Sequence, residues 1–260
     1  MKRDEAKRHR YDRLSCNDQH SFSVSPLSLP ALEKWNWGEI GRDLSTRGYA
    51  RIRHAIDPCV CAALKNLSAN EQVFRRRIDM ARYRFGVGEY AYFADPLPEW
   101  VALVRCRLYA ALVPLANRMM ADLGRQMRYP RSFQKFQDQC RSSGQMNPTP
   151  LLLQYRAGGF NCLHRDVYGP IVFPLQAMVL LSRKDHDFTG GEFILLEQRP
   201  RQQSRATVVT PDRGDLIIFP VSERPVTGRR GPVRATMRHG VSLVHSGERW
   251  ALGLIFHDAQ

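Results

Sequence analysis

Acidic residues are scarce relative to basic ones in this chain. There are 25 Asp and Glu against 39 Lys and Arg in 260 residues, a formal net charge of +14. Such an imbalance attracts polyanions and makes nucleic acid the first partner to consider, beside the plainer reading of a solvated basic surface with no specific partner. No CxxC pair occurs. The six cysteines (Cys16, Cys59, Cys61, Cys106, Cys140 and Cys162) are scattered, which argues against both a disulfide framework and a paired-cysteine zinc site and fits a reducing cytoplasm. Cys59 and Cys61 form a lone CxC, expected as buried thiols. No apolar run is long enough to span a bilayer, so no membrane partner is expected. No apolar stretch follows the mixed-charge start MKRDEAKRHRYDRL, so it does not read as a signal peptide. Gly190-Gly191-Glu192 lacks the Lys-Ser/Thr and the helix of a phosphate-binding loop and reads as a turn. Internal repeats and low-complexity tracts are absent.

What is present divides the chain into three. Residues 1–30 are charged, then Ser/Pro-rich, and read as a weakly ordered basic arm. Residues 31–149 read as mainly helical. Trp37 to Leu44 is amphipathic, Tyr49 to His54 alternates like a short strand, and Asp57-Pro58 supplies an N-cap and first helical position for a helix through Leu67. The longest helical pattern runs from Pro98 to Leu123, with Leu103, Leu108, Leu112, Leu115 and Met119 near one face. Residues 150–260 change texture: LLLQY, PLQAMVLLS, GEFILLEQ, ATVVTP, DLIIFP, GVSLV and RWALGLIF are short β-rich runs with no room for crossover helices between them. That pattern predicts a mainly antiparallel sandwich or barrel forming one structural unit with 31–149.

Within the β-rich part, His164-Arg165-Asp166 places an imidazole and a carboxylate two residues apart, on one side of an extended chain. His239 follows far downstream. Two histidines and one carboxylate on one face of a metal make the facial triad of non-haem iron(II) oxygenases. After His239, the sequence reads as two strands with a tight turn at His245-Ser-Gly-Glu248. On the second, Arg249, Ala251, Gly253 and Ile255 share one face, and Trp250, Leu252, Leu254 and Phe256 the other. Small residues beside Arg249 leave room for a ligand whose carboxylate a guanidinium can grip bidentately.

This arrangement (HxD, a distal His, and an Arg ten positions on, 239 to 249) resembles the 2-oxoglutarate/iron(II) dioxygenase superfamily. The resemblance implies an α+β protein with a double-stranded β-helix, or jelly-roll, core and N-terminal helices packed on it. It implies iron(II) held by His164, Asp166 and His239, 2-oxoglutarate anchored by Arg249, and dioxygen as oxidant. Tyr155, in LLLQYRAGGFNCLHRD, looks like the tyrosine that hydrogen-bonds the co-substrate in AlkB-like dealkylases. NCLHRDVYG, FPLQ, DFTGGEF, EQRPRQQSR, RHGVS and GLIFHDA together are similar to a bacterial subfamily of oxygenases described as acting on damaged, alkylated DNA. The similarity runs from about Trp37 to Asp258. The ten-residue His–Arg spacing departs from AlkB-like enzymes toward the prolyl hydroxylase type.

Three functions follow: oxidative dealkylation of a nucleic acid, hydroxylation of a protein or small molecule, and, from another class, a non-catalytic nucleic-acid-binding module on the same fold. His245 rivals His239 as the distal ligand but falls in the expected turn. His257 reads as a packing residue after the last strand, and His186 as a loop residue. Of the arginine-rich runs, Arg75 to Arg84 is interleaved with Tyr83, Phe85, Tyr90, Tyr92 and Phe93, a composition able to grip phosphates and stack bases or, equally, to form a solvated surface over core aromatics. Arg199 to Arg205 and Arg224 to Arg238 read as surface, with Arg199 or Arg201 a candidate for the mouth of the co-substrate pocket.

Overall fold

A computed structural model of the chain describes residues 28–228 and 231–260. Most of the expected N-terminal arm, and Arg229 and Arg230, lie outside the described residues. Four α-helices are present there: α1 (Trp37–Thr46), α2 (Pro58–Asn66), α3 (Glu99–Asp122) and α4 (Phe133–Ser142). Four strands precede residue 150: β1 (Ala50–Ile52), β2 (Phe74–Asp79), β3 (Gly86–Val87) and β4 (Glu89–Phe93). Ten follow it: β5 (Leu151–Arg156), β6 (Phe160–His164), β7 (Leu175–Leu180), β8 (Phe188–Gly190), β9 (Phe193–Gln198), β10 (Arg205–Val209), β11 (Leu216–Pro220), β12 (Glu223–Gly228), β13 (Gly231–Val241) and β14 (Val244–Leu254).

Local chemistry sets the helix starts. The Asp57 carboxylate accepts from the Cys59 amide at 2.8 Å with Pro58 in the first turn, and Asn36 and Ser132 cap α1 and α4 in the same way. In α3 the buried face is Val101, Val104, Leu108, Leu112 and Ala116. Leu103 and Leu115, expected in that stripe, sit at its half-buried margin. Among the described residues no helix is long and apolar enough to cross a membrane.

The strands form two antiparallel sheets. The larger runs β1-β11-β7-β14-β5-β4-β2, with β8 on β14, and the smaller runs β10-β9-β13-β6-β3, with β12 on β13. Strands from the part expected to be mainly helical therefore extend both sheets, and the chain is continuous in structure across residue 150. The β2–β4 hairpin lies at one edge because β4 pairs with β5 from Glu89↔Gln154 to Tyr92↔Leu151.

Alternation along β14 feeds two cores. Trp250, Leu252 and Leu254 pack with α3 residues such as Val104 and Leu108, while Ala251 faces Met178, Leu195, Ile217 and Phe219 between the sheets. Each buried leucine in these layers contributes about 1.5–3 kcal/mol. A buried arginine links the helical layer to the strand end. Arg105 of α3 pairs with the Asp258 carboxylate at 2.7 Å and donates to the carbonyls of Ile255 and Phe256. The turn between β13 and β14 falls at Ser242-Leu243, not at His245–Glu248. His245 to Glu248 belong to β14, where Ser246 and Gly247 pair with Thr189 and Phe188 of β8. The left-handed conformation of Gly247 (φ 73) lets β14 run on past the register shift there without a break.

Candidate metal and co-substrate site

His164 ends β6, and its direct cross-strand partner is His239 of β13. Both rings point between the sheets, with centroids 4.2 Å apart. Asp166 lies two residues beyond His164, buried, its Oδ2 3.2 Å from His239 Nε2 and its Oδ1 3.6 Å from His164 Nε2. One ligand atom from each of the three lies within 4.8 Å of the others, and among the described residues this is the one such cluster of His, Cys, Asp or Glu. Close approach of the strands makes this possible: a Cβ at Gly240 would come within 2.6 Å of the Asn161 carbonyl.

The donor chemistry fits a divalent cation. His164 Nδ1 is 2.8 Å from the Cys162 carbonyl, which can only accept, so Nδ1 carries the proton. The Nε2 lone pair of His164 is then left facing a carboxylate, an arrangement relieved by a metal between them. Two imidazoles and a carboxylate suit iron(II). Burial alone would raise the Asp166 carboxyl. Protonated imidazoles at His239 and His164, with a hydrogen bond from Tyr168, outweigh it and hold the group well below the usual carboxylate range; with both rings neutral, a bound cation would take over that role. Burial lowers His239, which favours the neutral imidazole that a metal requires.

The cavity beside this cluster has an empty volume of about 520 Å³, part of it open to solvent. Arg249, Ala251, Gly253 and Ile255 line it, as the alternation along β14 predicts. Arg249 is 1% exposed and its Nε donates to the Gly191 carbonyl at 2.8 Å. No carboxylate among the described residues pairs with it. Burial pulls its guanidinium down to about 10, so it remains cationic at neutral pH. Gly191 is required here, because a Cβ would lie 2.8 Å from Arg249 Cδ and the backbone is left-handed (φ 61). Tyr155 is fully buried opposite, its ring 5.6 Å from the Arg249 guanidinium. Asn161 Nδ2 donates to the Tyr155 hydroxyl at 3.1 Å, which leaves the phenolic proton free for a ligand. Burial raises that phenol to about 12.

The other sequence candidates separate cleanly. His245 is exposed on β14 and does not line the cavity; His186 is an exposed neighbour of Asp187. His257 is buried, 3.1 Å through Nε2 from the backbone carbonyl of Asp166, and so packs under the site. Arg199 and Arg201 do not line the cavity either. Arg199 is bound to buried Glu197 at 2.8 Å, together with Arg205 and the fully buried Arg224. Cys61 is buried as expected but Cys59 is exposed.

Two site residues escaped the sequence reading. The Tyr168 hydroxyl donates to Asp166 Oδ1 at 2.6 Å and itself accepts from Tyr92 at 3.2 Å. Gln176 lines the cavity with its amide nitrogen 3.4 Å from His239 Nε2. Each had a signal: a tyrosine two residues past the ligand carboxylate, and a lone polar residue in the otherwise apolar strand LQAMVL.

Comparison with known proteins agrees with this geometry. Residues 88–259 match the family model Oxygenase-NA, described as "Oxygenase, catalysing oxidative methylation of damaged DNA". Uncharacterized proteins from two strains of Mycobacterium tuberculosis are 41% identical over 196 residues, 74% of this chain and 84% of theirs. Among solved structures, an oxidoreductase of the 2OG-Fe(II) oxygenase family from Burkholderia pseudomallei superposes with a TM-score of 0.51 at 15% identity, covering 87% of this chain and 94% of that one. A prolyl hydroxylase from Trichoplax adhaerens, in complex with a hypoxia inducible factor oxygen degradation domain peptide fragment, gives 0.50 at 17%, covering 85% and 89%. The chain therefore belongs to the Oxygenase-NA family, and its catalytic core is the jelly roll of the 2-oxoglutarate/iron(II) oxygenases.

Proposed function

We propose that this oxygenase dealkylates alkylated nucleic acid oxidatively, using iron(II), 2-oxoglutarate and dioxygen. The observation that carries the oxygenase part is the cavity itself, where His164, Asp166 and His239 converge closely enough to hold a metal, with a buried arginine, unpaired with any described carboxylate, on its walls. The family description and the charge of +14 support the nucleic-acid substrate.

In this reading His164, Asp166 and His239 hold the iron. Arg249 grips the far carboxylate of 2-oxoglutarate, and the free phenolic proton of Tyr155 donates to the same carboxylate. Iron(II) with 2-oxoglutarate supplies the oxidation of a substrate C–H bond by dioxygen, with succinate and carbon dioxide as co-products. The chain's own residues orient and shield. Leu151, Leu153, Phe193 and Phe219 give the cavity apolar walls, which would limit water around the reacting atoms. The His164 Nδ1–H to Cys162 bond keeps the ligating nitrogen aimed inward. Hydroxylation of an N-alkyl group gives a hemiaminal that releases the free base and an aldehyde.

The test is succinate formation by iron-loaded protein with and without a methylated single-stranded oligonucleotide. Strong stimulation with loss of the methyl group is the expected result. Turnover indifferent to the oligonucleotide would end the nucleic-acid reading. The ten-residue step from His239 to Arg249 favours a second reading, hydroxylation of a protein or small molecule, which peptide-stimulated turnover would identify.

A further inference from the structure

The aromatic and arginine residues of the first arginine-rich run fall into two groups. Phe93 is fully buried, and Tyr90 and Tyr92 are half-buried. Tyr83 and Phe85 are not: they are 48% and 47% exposed, and their rings stack on each other at 5.6 Å with an interplanar angle of 19°. Together they present an aromatic face that is half open to solvent. The residue between them, Arg84, is held in the left-handed region (φ 59), a conformation disfavoured for a residue with a side chain. Strain of this kind persists where the surrounding structure enforces it, and here its result is to bring two rings onto one side of the chain.

The pair is built against the metal site. The Phe85 carbonyl accepts from the Cys162 amide at 2.8 Å, and β3, which follows it, pairs with β6 through Gly86↔Asn161. β6 is the strand that ends at His164. Gly86 cannot be replaced without moving β6, since a Cβ there would lie 2.3 Å from the Phe160 carbonyl. Two further exposed apolar residues, Leu163 (40%) and Val167 (49%), flank the ligands themselves.

The exposed charges around this surface are mostly basic, with Asp79 the acid nearest the two rings. Arg76 donates to the Tyr83 hydroxyl at 3.3 Å, which fixes the ring. Among the described residues no carboxylate pairs with Arg76, Arg84 or Arg165, all exposed, and Arg82 is 4.0 Å from Asp79. Exposed aromatic faces set among free arginines beside a reaction centre suit a ligand that alternates flat rings with negative charges. Duplex bases present no free face to such rings; unpaired bases do.

We infer that Tyr83 and Phe85 form a stacking platform for an unpaired base of single-stranded nucleic acid, next to the nucleotide in the catalytic cavity, with Arg76, Arg84 and Arg165 on the adjoining phosphates. This inference rests on the nucleic-acid reading above and adds where, and in which form, the strand binds.

The experiment is fluorescence anisotropy of a labelled, undamaged single-stranded oligonucleotide, read beside succinate formation with the methylated strand. Wild type is compared with Tyr83→Ala/Phe85→Ala, Tyr83→Leu/Phe85→Leu and Phe85→Trp. Both double variants are expected to bind at least about tenfold more weakly, since stacking on a ring carries most of the contact at one base. The leucine pair separates ring stacking from general apolarity. Phe85→Trp is expected to bind as tightly as wild type or tighter, with quenching of the introduced indole, and it decides the matter should the double variants fold poorly. Wild-type binding that the double variants retain in full, together with no indole quenching, overturns the platform while leaving a nucleic-acid substrate standing. Absence of wild-type binding at moderate salt overturns both. Peptide-stimulated turnover that depends on Tyr83 and Phe85 would reassign the same surface to a protein substrate.

Discussion

Arg249 and Tyr155 are direct cross-strand partners on β14 and β5, and both side chains turn into the cavity that holds the metal-ligand cluster. The strand pairing thus puts one cation and one hydroxyl on the same wall of the cavity, where the proposed function places the far carboxylate of 2-oxoglutarate. Arg249→Ala removes the cation but touches no metal ligand. It is expected to raise the KM for 2-oxoglutarate about 100-fold or more, because each charge-assisted hydrogen bond contributes about 1.5–3 kcal/mol. Steady-state kinetics beside metal analysis check this. Loss of iron together with turnover would mean that Arg249 supports the metal site and not the co-substrate.

The two histidines of the β13–β14 hairpin give a paired prediction. His239→Ala is expected to abolish metal binding, because its ring faces Asp166 and His164. His245→Ala is expected to leave it unchanged, because that side chain is exposed and outside the cavity. Titration with manganese(II), which needs no anaerobic handling, distinguishes the two. The reverse pattern would overturn the ligand assignment.

Much of this site was legible because β-strand alternation is a rigid rule. Once β14 is a strand, Arg249, Ala251, Gly253 and Ile255 must share a face, and they do. The HxD spacing works in the same way, since chain direction alone puts His164 and Asp166 together. What was illegible depended on register between distant segments. The hairpin turn was placed too late because His245-Ser-Gly-Glu has good turn composition, whereas the fold uses Gly247 to sustain pairing with β8. β2 and β4 were hidden among arginines and tyrosines, whose strand identity depends on pairing with β5. Arg224 and Arg199 read as solvated because their partner, Glu197, is brought to them only by the folded chain.

Glu197 itself yields a stability prediction. Its carboxylate is 5% exposed and accepts from Arg199, Arg205 and Arg224, while Arg224 also donates to the carbonyls of Leu44 and Ser45 at the end of α1. Glu197→Ala would leave Arg224, 2% exposed, without its counter-ion. Orphaning one member of a buried pair costs about 3–5 kcal/mol. A fall in melting temperature is expected, partly reversed in Glu197→Leu/Arg224→Met, where no buried charge remains. An unchanged melt in Glu197→Ala would show that the pair contributes nothing net.

Tyr168 tests how far the metal site extends beyond its ligands. Its hydroxyl donates to Asp166 Oδ1 at 2.6 Å and accepts from Tyr92, whose ring lies 4.6 Å from the Arg75 guanidinium. This chain holds the carboxylate in one rotamer, with Oδ2 toward His239. Tyr168→Phe removes the donor and keeps the ring, and metal affinity is expected to fall about 10- to 100-fold, the usual range for partners that orient a ligand. Tyr92→Phe should cost less, since Tyr168 can still donate. Metal titration of both variants reads the effect without any turnover assay. Equal affinity in Tyr168→Phe and wild type would show that the surrounding strands alone orient Asp166, and the tyrosine would then be only a packing residue.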